Sequence, residues 1–124
     1  MRRCLAGMRD GSVLPWALTG RDDDRPVGMI ELRPTGHRAE MGYVLARDRW
    51  GRGLMSEAAL VVVDWALAQP GVFRVWSVTD VDNGASARVL EKVGMQREGL
   101  LRRWMMHPGV GPEPRDCWCF GRVR

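Results

Sequence analysis

Trp50-Gly51-Arg52-Gly53-Leu54-Met55-Ser56-Glu57 is the stretch on which the reading of this chain turns, because two glycines one residue apart introduce an apolar segment that reads as a helix. Immediately upstream, Ala39-Glu40-Met41-Gly42-Tyr43-Val44-Leu45-Ala46 reads as a strand. The order is therefore strand, basic glycine turn, helix. First-turn N–H groups of such a helix have no intrahelical acceptor and carry the positive end of the helix dipole, which suits a pyrophosphate. Glycine lets an anion approach the backbone with no Cβ in the way. The pattern is neither of two better-known phosphate loops: Ser56 stands where the dinucleotide fingerprint has its third glycine, and no Gly-Lys-Ser/Thr follows. Nucleotide hydrolysis is thereby disfavoured. A glycine pair before a helix is by itself often only a tight connection.

Upstream, Trp16-Ala17-Leu18-Thr19 and Val27-Gly28-Met29-Ile30-Glu31-Leu32 read as strands of a hairpin around the turn from Gly20 to Pro26. A loop from Pro34 to His37 leads into the strand 39–46. The helix is expected from about Gly53 to Gln69, stopped by Pro70-Gly71 and apolar on most faces, as for a helix buried against a sheet. Phe73 to Thr79 alternates like a strand, Val75 and Ser77 facing one way and Arg74, Trp76 and Val78 the other. Asn83 suits the N-cap of a helix over about Ala85 to Val93, and Gly94 stands where a C′ glycine belongs. Leu100 to Met106 and Arg115 to Val123 would pair as a hairpin around His107 to Pro114. No repeat, low-complexity tract or linker interrupts the chain, which reads as a single domain over 1–124.

The second helix is the centre of a second block, Val81-Asp82-Asn83-Gly84-Ala85-Ser86-Ala87-Arg88-Val89-Leu90-Glu91-Lys92-Val93-Gly94-Met95. Together the two blocks resemble the GCN5-related N-acetyltransferases (GNAT). In that family an acyl-CoA pyrophosphate loop of the form Gln/Arg-x-x-Gly-x-Gly/Ala is followed by an Asn-x-x-Ser/Ala helix ending in Gly-Phe. The closest branch is that of the ribosomal-protein N-terminal acetyltransferases. Its blocks appear here in order as Glu40-Met41-Gly42-Tyr43, Trp50-Gly51-Arg52-Gly53, Glu57-Ala58, Asn83-Gly84-Ala85-Ser86, Glu91-Lys92-Val93-Gly94-Met95 and Glu98-Gly99-Leu100-Leu101-Arg102. Six blocks in sequence are far more specific than any one of them. Trp50 in the loop and Met55 in place of a small residue are mild departures.

The resemblance implies an α+β fold, a central mixed, mostly antiparallel sheet with flanking helices, in which the strands at 39–46 and 73–79 are parallel neighbours that splay apart. It implies acetyl-CoA as co-substrate and no metal. The pyrophosphate would lie on Arg49, Trp50, Gly51, Arg52, Gly53, Met55 and Ser56. The pantetheine arm would enter the splay against backbone groups of Val44 and Leu45, one of which would face the thioester oxygen, with Asn83, Ser86 and Lys92 completing the binding set. The reaction implied is direct attack of an amine on the thioester without a covalent enzyme intermediate. Glu40 stands where the family's candidate base lies, although a solvated strand carboxylate or an arginine partner accounts for it equally. In many acetyltransferases a tyrosine four residues beyond the position of Ser86 protonates the leaving thiolate; that position is Leu90, so Ser86 itself is the candidate. Asn83 serves as N-cap on any reading. Tyr43, the only tyrosine, reads as a strand residue rather than an acid.

Family members begin with a strand and one or two helices that form much of the acceptor wall, and Met1 falls near the second of those helices. The expected fold therefore lacks the usual first strand and helix. It would leave a bare sheet edge near Trp16 to Thr19, pointing to a homodimer or to a missing segment.

Composition suits one core: 124 residues, 45% hydrophobic and 27% charged. No segment approaches the ~20 apolar residues of a membrane span, and Arg9-Asp10 cut short any signal-like start, leaving the cytoplasm as the default location. Cys4, Cys117 and Cys119 form an odd set without metal-site spacing and read as reduced structural thiols. The net charge is +4, with arginine supplying all but one of the cations. Arg47, Arg49 and Arg52 crowd the glycine loop, which favours a phosphate-bearing acyl-CoA over nucleic acid; the scattered arginines read as solvated surface. Trp50, Trp65, Trp76, Trp104 and Trp118 read mostly as core, with Trp104, Met105 and Met106 candidates for the acceptor cleft; His37 and His107 carry no strong claim. Three functions stay open: an N-acetyltransferase acting on a protein N-terminus or small-molecule amine, a non-catalytic acyl-CoA-binding module, and a basic nucleic-acid-binding protein.

Overall fold

A computed structural model describes residues 2–3, 13–20, 23–45 and 53–124. Its elements run β1 (Arg2–Arg3), β2 (Leu14–Gly20), β3 (Asp23–Thr35), β4 (Arg38–Leu45), α1 (Leu54–Leu67), β5 (Arg74–Asp80), α2 (Gly84–Lys92), β6 (Gln96–Met105) and β7 (Arg115–Val123). The strands form one sheet in the order β1-β2-β3-β4-β5-β7-β6. Every neighbouring pair is antiparallel except β4–β5. This is the mixed, mostly antiparallel sheet with flanking helices that the sequence led us to expect. The strands are longer than the apolar runs that announce them: β2 and β3 pair as far as Gly20 and Asp23, through the stretch read as a turn.

Period-2 burial sets one face of the sheet. Leu14, Trp16 and Leu18 of β2, Ile30 and Leu32 of β3, Met41 of β4, Val75 of β5 and Phe120 of β7 pack in one cluster with residues of both helices. From α1 the buried residues are Met55, Ala59, Val62, Val63, Ala66 and Leu67, a single stripe at helical spacing. The expectation of a helix apolar on most faces is met in sequence but not in burial, since Leu60 and Val61 are 40% and 54% exposed. Trp16 meets Trp65 edge to face, ring centroids 5.4 Å apart, which ties β2 to α1.

α2 begins and ends as its sequence dictates. The Asn83 side chain accepts a hydrogen bond from the Ser86 N–H at 3.1 Å. At the other end Gly94 adopts φ 88, its N–H donates to Glu91 O, and the Met95 N–H donates to Leu90 O. This is a Schellman termination, with Leu90 and Met95 both buried. Residues with a side chain rarely take that φ, so glycine suits the position.

Arginines from the end of β7 cap both helices, where the sequence had suggested solvated surface. Arg124 donates to Leu67 O at 2.8 Å and to Gln69 O at 2.6 Å beyond the last turn of α1. Arg122 donates to Val93 O at 3.1 Å at the end of α2 and reaches Asp64 of α1 at 3.0 Å. Carbonyls left over at a helix C-terminus thus receive cationic donors from a distant strand.

The edge expected to be bare from Trp16 to Thr19 is covered at its first two residues. Arg2 and Arg3 pair with Ala17 and Trp16 in β1, so this part of the edge has a partner within the chain.

Removing the Arg122 donor leaves a helix-end carbonyl without its charged partner, whereas removing the Asp64 charge breaks only an ion pair whose carboxylate is 56% exposed. Arg122→Met should therefore lower stability by about 1–2 kcal/mol in urea titrations. Asp64→Asn should cost less than about 0.5 kcal/mol. Equal losses would show that the ion pair, not the carbonyl bond, carries the contact.

Candidate functional site

The parallel ladder between β4 and β5 is short. Arg38, Ala39 and Glu40 pair with Arg74, Val75 and Trp76, and pairing then stops although β4 continues to Leu45 and β5 to Asp80. Where the next main-chain bond would fall, the Ser77 hydroxyl donates to Met41 O at 2.7 Å. Ser77 is buried, so this bond satisfies the last carbonyl before the opening. Beyond it the two strands part, and a groove of about 850 Å³ runs through the sheet between them.

The groove is lined from both faces of the sheet. From the helix face come Tyr43, Ser77, Thr79, Asn83, Ser86 and Val89; from the opposite face come Glu31, Arg33, Glu40, Asp80, Met105 and His107. A more open depression along Leu100 to Trp104 lies on the outer strand, away from the splay. Residues 41 and 43 of β4 share the helix face while 40, 42 and 44 share the other, so Tyr43 and Glu40 approach the opening from opposite sides.

At one end of the groove stand Gly53, Leu54, Met55 and Ser56, the start of α1. Gly53 is the N-cap, with φ 73, and among the described residues no side chain caps the N–H groups of the first turn. An added Cβ on Gly53 would meet nothing within 4 Å, so here glycine is required by the left-handed backbone rather than by lack of space.

α2 forms the helix-side wall. Ser86 Oγ lies 2.5 Å from Tyr43 Oη, and the phenol also donates to Ser86 O at 3.2 Å. Burial pushes the Tyr43 phenol above its ordinary range, against the opposing hydrogen bond from Ser86. Leu90 is fully buried in the core. Arg88 and Lys92, one turn apart, line the groove further along.

The turn between β5 and α2 is held by charge. Arg115 donates to both oxygens of Asp80, at 2.7 and 3.1 Å, and to Asp82 at 2.5 Å, while the Asp82 N–H donates to Asp80 at 2.9 Å. The Arg115 guanidinium, followed by the Asp82 amide, holds the Asp80 carboxyl down to about 2. This cluster sets where Asn83 starts α2 and hence where Ser86 lies.

Of the residues singled out from sequence, Glu40, Val44, Leu45, Gly53, Met55, Ser56, Asn83, Ser86 and Lys92 all line the groove. Arg49, Trp50, Gly51 and Arg52 lie outside the described residues. The Val44 carbonyl is turned toward Gly28 of β3, 2.6 Å from where a Cβ there would lie. By alternation the peptide groups of Met41, Tyr43 and Leu45 are the ones on the β5 side. Met105 and His107 reach the groove, whereas Trp104, a cleft candidate, is 53% exposed and does not line it. Tyr43, Asp80, Ser77 and Thr79 also line the groove, although the sequence singled out none of them for the site. The last two left a signal: small hydroxyls at inward positions of an otherwise apolar strand.

Burial pushes the Cys117 and Cys119 thiols upward, which suits protonated structural groups. Among the described residues no cluster of His, Cys, Asp or Glu could hold a metal ion, and no helix is long and apolar enough to cross a membrane.

Comparison with known proteins agrees with this geometry. Residues 1–96 match the family described as acetyltransferase (GNAT) domain. YoaA of Bacillus subtilis (strain 168), described as an uncharacterized N-acetyltransferase, is 36% identical over 98 residues, which cover 77% of this chain and 55% of YoaA. The ribosomal-protein-S5-alanine acetyltransferase of Vibrio fischeri superposes with a TM-score of 0.81 at 20% identity, over 90% of this chain and 61% of that one, a likeness of fold. Mycobacterium smegmatis RimJ, solved in complex with CoA-disulfide, superposes with a TM-score of 0.76 at 25% identity, over 90% of this chain and 53% of that one. The chain thus spans little more than half the length of these proteins.

The Asp80 cluster gives a pH prediction. Because the folded carboxyl titrates at about 2 and an unfolded aspartate at roughly 3.9, its stabilisation is complete above about pH 4 and is lost as pH falls toward 2. Asp80→Asn should lower stability at neutral pH and flatten the acid limb between those values, as read from urea midpoints at pH 7, 4 and 2.5.

Proposed function

Because the chain belongs to the GNAT acetyltransferase family, we propose that it transfers an acetyl group from acetyl-CoA to a primary amine by direct attack. The observation that carries this reading is the interrupted β4–β5 ladder, a slot through the sheet with a helix N-terminus at one end and a serine hydroxyl on its wall. An elongated acyl-CoA fits that slot from the helix face. Its pyrophosphate would meet the first turn of α1 at Gly53 to Ser56, helped by residues of the loop before it. Its pantetheine would run along the β5 side of β4, and Lys92 would add a cation. RimJ's complex with CoA-disulfide supports the same ligand class.

The acceptor amine would enter from the opposite face. An α-amine has a pKa of roughly 7.7–8.0, so modest assistance suffices near neutral pH. Glu40, half-buried at the last paired position before the slot opens, would take the proton, directly or through water. As the amine nitrogen bonds to the thioester carbon and the carbon–sulfur bond breaks, the sulfur leaves on the helix face, where Ser86 can donate a hydrogen bond. Base and donor thus sit on two sides of one sheet. A protein N-terminus and a small amine both satisfy this geometry, and cytoplasmic location accompanies the reading.

A non-catalytic acyl-CoA-binding module shares the binding half of the slot and differs only in turnover. Nucleic-acid binding is disfavoured by the use of Arg74, Arg115, Arg122 and Arg124 in contacts within the fold.

Acetyl-CoA at a hundredfold excess over its dissociation constant should stabilise the fold by about 2.7 kcal/mol, seen as a rise in melting temperature. No shift at millimolar acetyl-CoA or CoA would exclude the assignment. With an acceptor found by screening peptides, polyamines and aminoglycosides for CoA release, Ser86→Ala should slow turnover about ten- to a hundredfold at all pH values. Glu40→Gln should slow it most at low pH, where the amine is protonated, and leave acetyl-CoA affinity unchanged.

A further inference from the structure

The polar contact that the acyl-transfer reading leaves unused is the one between Tyr43 and Ser86, 43 residues apart in sequence. Tyr43 reaches across the slot from β4 to the first turn of α2, its ring packed against the core and its hydroxyl at the groove wall. One phenolic hydrogen has two acceptors within reach, Ser86 Oγ at 2.5 Å and Ser86 O at 3.2 Å. Each hydroxyl owns a single hydrogen, so the two acceptors define two arrangements. When the phenol donates to Ser86 O, the serine hydrogen is drawn to Tyr43 Oη and is spent inside the protein. When it donates to Ser86 Oγ, the serine hydrogen is free to point into the slot. Ser86 O still has its helical partner in the second arrangement, so nothing is orphaned by the switch. Rotation about the phenol carbon–oxygen bond interconverts them without moving the ring.

We propose that Tyr43 is a positioning residue for acyl transfer, donating into Ser86 Oγ so that the serine hydrogen is directed at the departing sulfur. The inference rests on the reading of Ser86 as the group that meets that sulfur. No proton leaves Tyr43 in the step: the sulfur departs with the electron pair of the carbon–sulfur bond and accepts a hydrogen bond from Ser86, while the amine proton leaves toward Glu40 and water. A phenol, ordinarily near pKa 10 against about 8.5 for a cysteine-like thiol, is too weak an acid to be drained by such a thiolate and so stays a donor across the working range. Burial strengthens that tendency.

Tyr43→Phe keeps the ring and its packing and removes only the hydroxyl. Steady-state kinetics should show kcat reduced about three- to tenfold, the size of one neutral hydrogen bond, with KM for acetyl-CoA within about twofold. Added to Ser86→Ala, the same substitution should cause no further loss. A wild-type kcat in Tyr43→Phe, a loss confined to KM, or losses that multiply in the double variant would each overturn the proposal. If Ser86→Ala itself turns over at the wild-type rate, the serine assignment fails first and takes this inference with it. A readout independent of any acceptor is the ionisation of bound CoA followed by thiolate absorbance. The thiol should titrate at lower pH on the wild-type chain than on Tyr43→Phe, by about half a unit or more. Identical titration on the two proteins would count against Tyr43.

Discussion

Where the parallel ladder between β4 and β5 stops governs everything the slot can offer. Two adjacent strands in a sheet consume each other's main-chain groups, and a buried strand that loses its partner leaves donors and acceptors that cost free energy. This fold tolerates the opening because each strand is fully engaged on its outer side. β4 pairs with β3 from Arg38 to Leu45, and β5 pairs with β7 from Arg74 to Asp80. At the point of parting, the Ser77 hydroxyl takes over the carbonyl of Met41. The result is a gap held open by its flanks and closed at its base by a side chain, the kind of edge an extended ligand can complete.

The helices are fixed to that gap by groups remote in sequence. Arg115 at the start of β7 clamps the turn before α2, and Arg122 and Arg124 at its end meet the last carbonyls of α2 and α1. One strand therefore sets both the beginning of the helix that bears Ser86 and the C-termini of both helices. The cost of such an arrangement is sensitivity to acid at Asp80, whose carboxyl must stay ionised to hold Arg115. Because these arginines are bound internally, the chain's positive charge is less available to a polyanionic partner than a count of residues suggests.

The groove also separates chemistry by the plane of the sheet. Alternation places Glu40 on one face and Tyr43, with its partner Ser86, on the other. On the proposed reading, the strand that carries Glu40 also holds it apart from Ser86, so the proton acceptor and the hydrogen-bond donor would not neutralise each other.

Much of this was written locally. The strand that ends at Leu45, the helix that begins at Leu54, the Asn83 cap, the Gly94 termination and the period-2 burial of β5 all follow from backbone sterics, capping and alternation, which act over a few residues. Short motifs likewise pointed to Glu40, Ser86 and Asn83, which line the groove. What lay beyond reach were contacts between segments far apart in the chain. These include the hydroxyl of Tyr43 against Ser86, the arginines of β7 against the helix ends, the Ser77 bond at the base of the splay, and Arg2–Arg3 along an edge expected to be bare. Periodicity and capping are properties of neighbouring residues, so the sequence by itself determined the elements, their order and most of the groove-lining set. Which polar groups meet across that groove depends on strand register and on how far a ladder runs before it opens, and only the tertiary structure decides those.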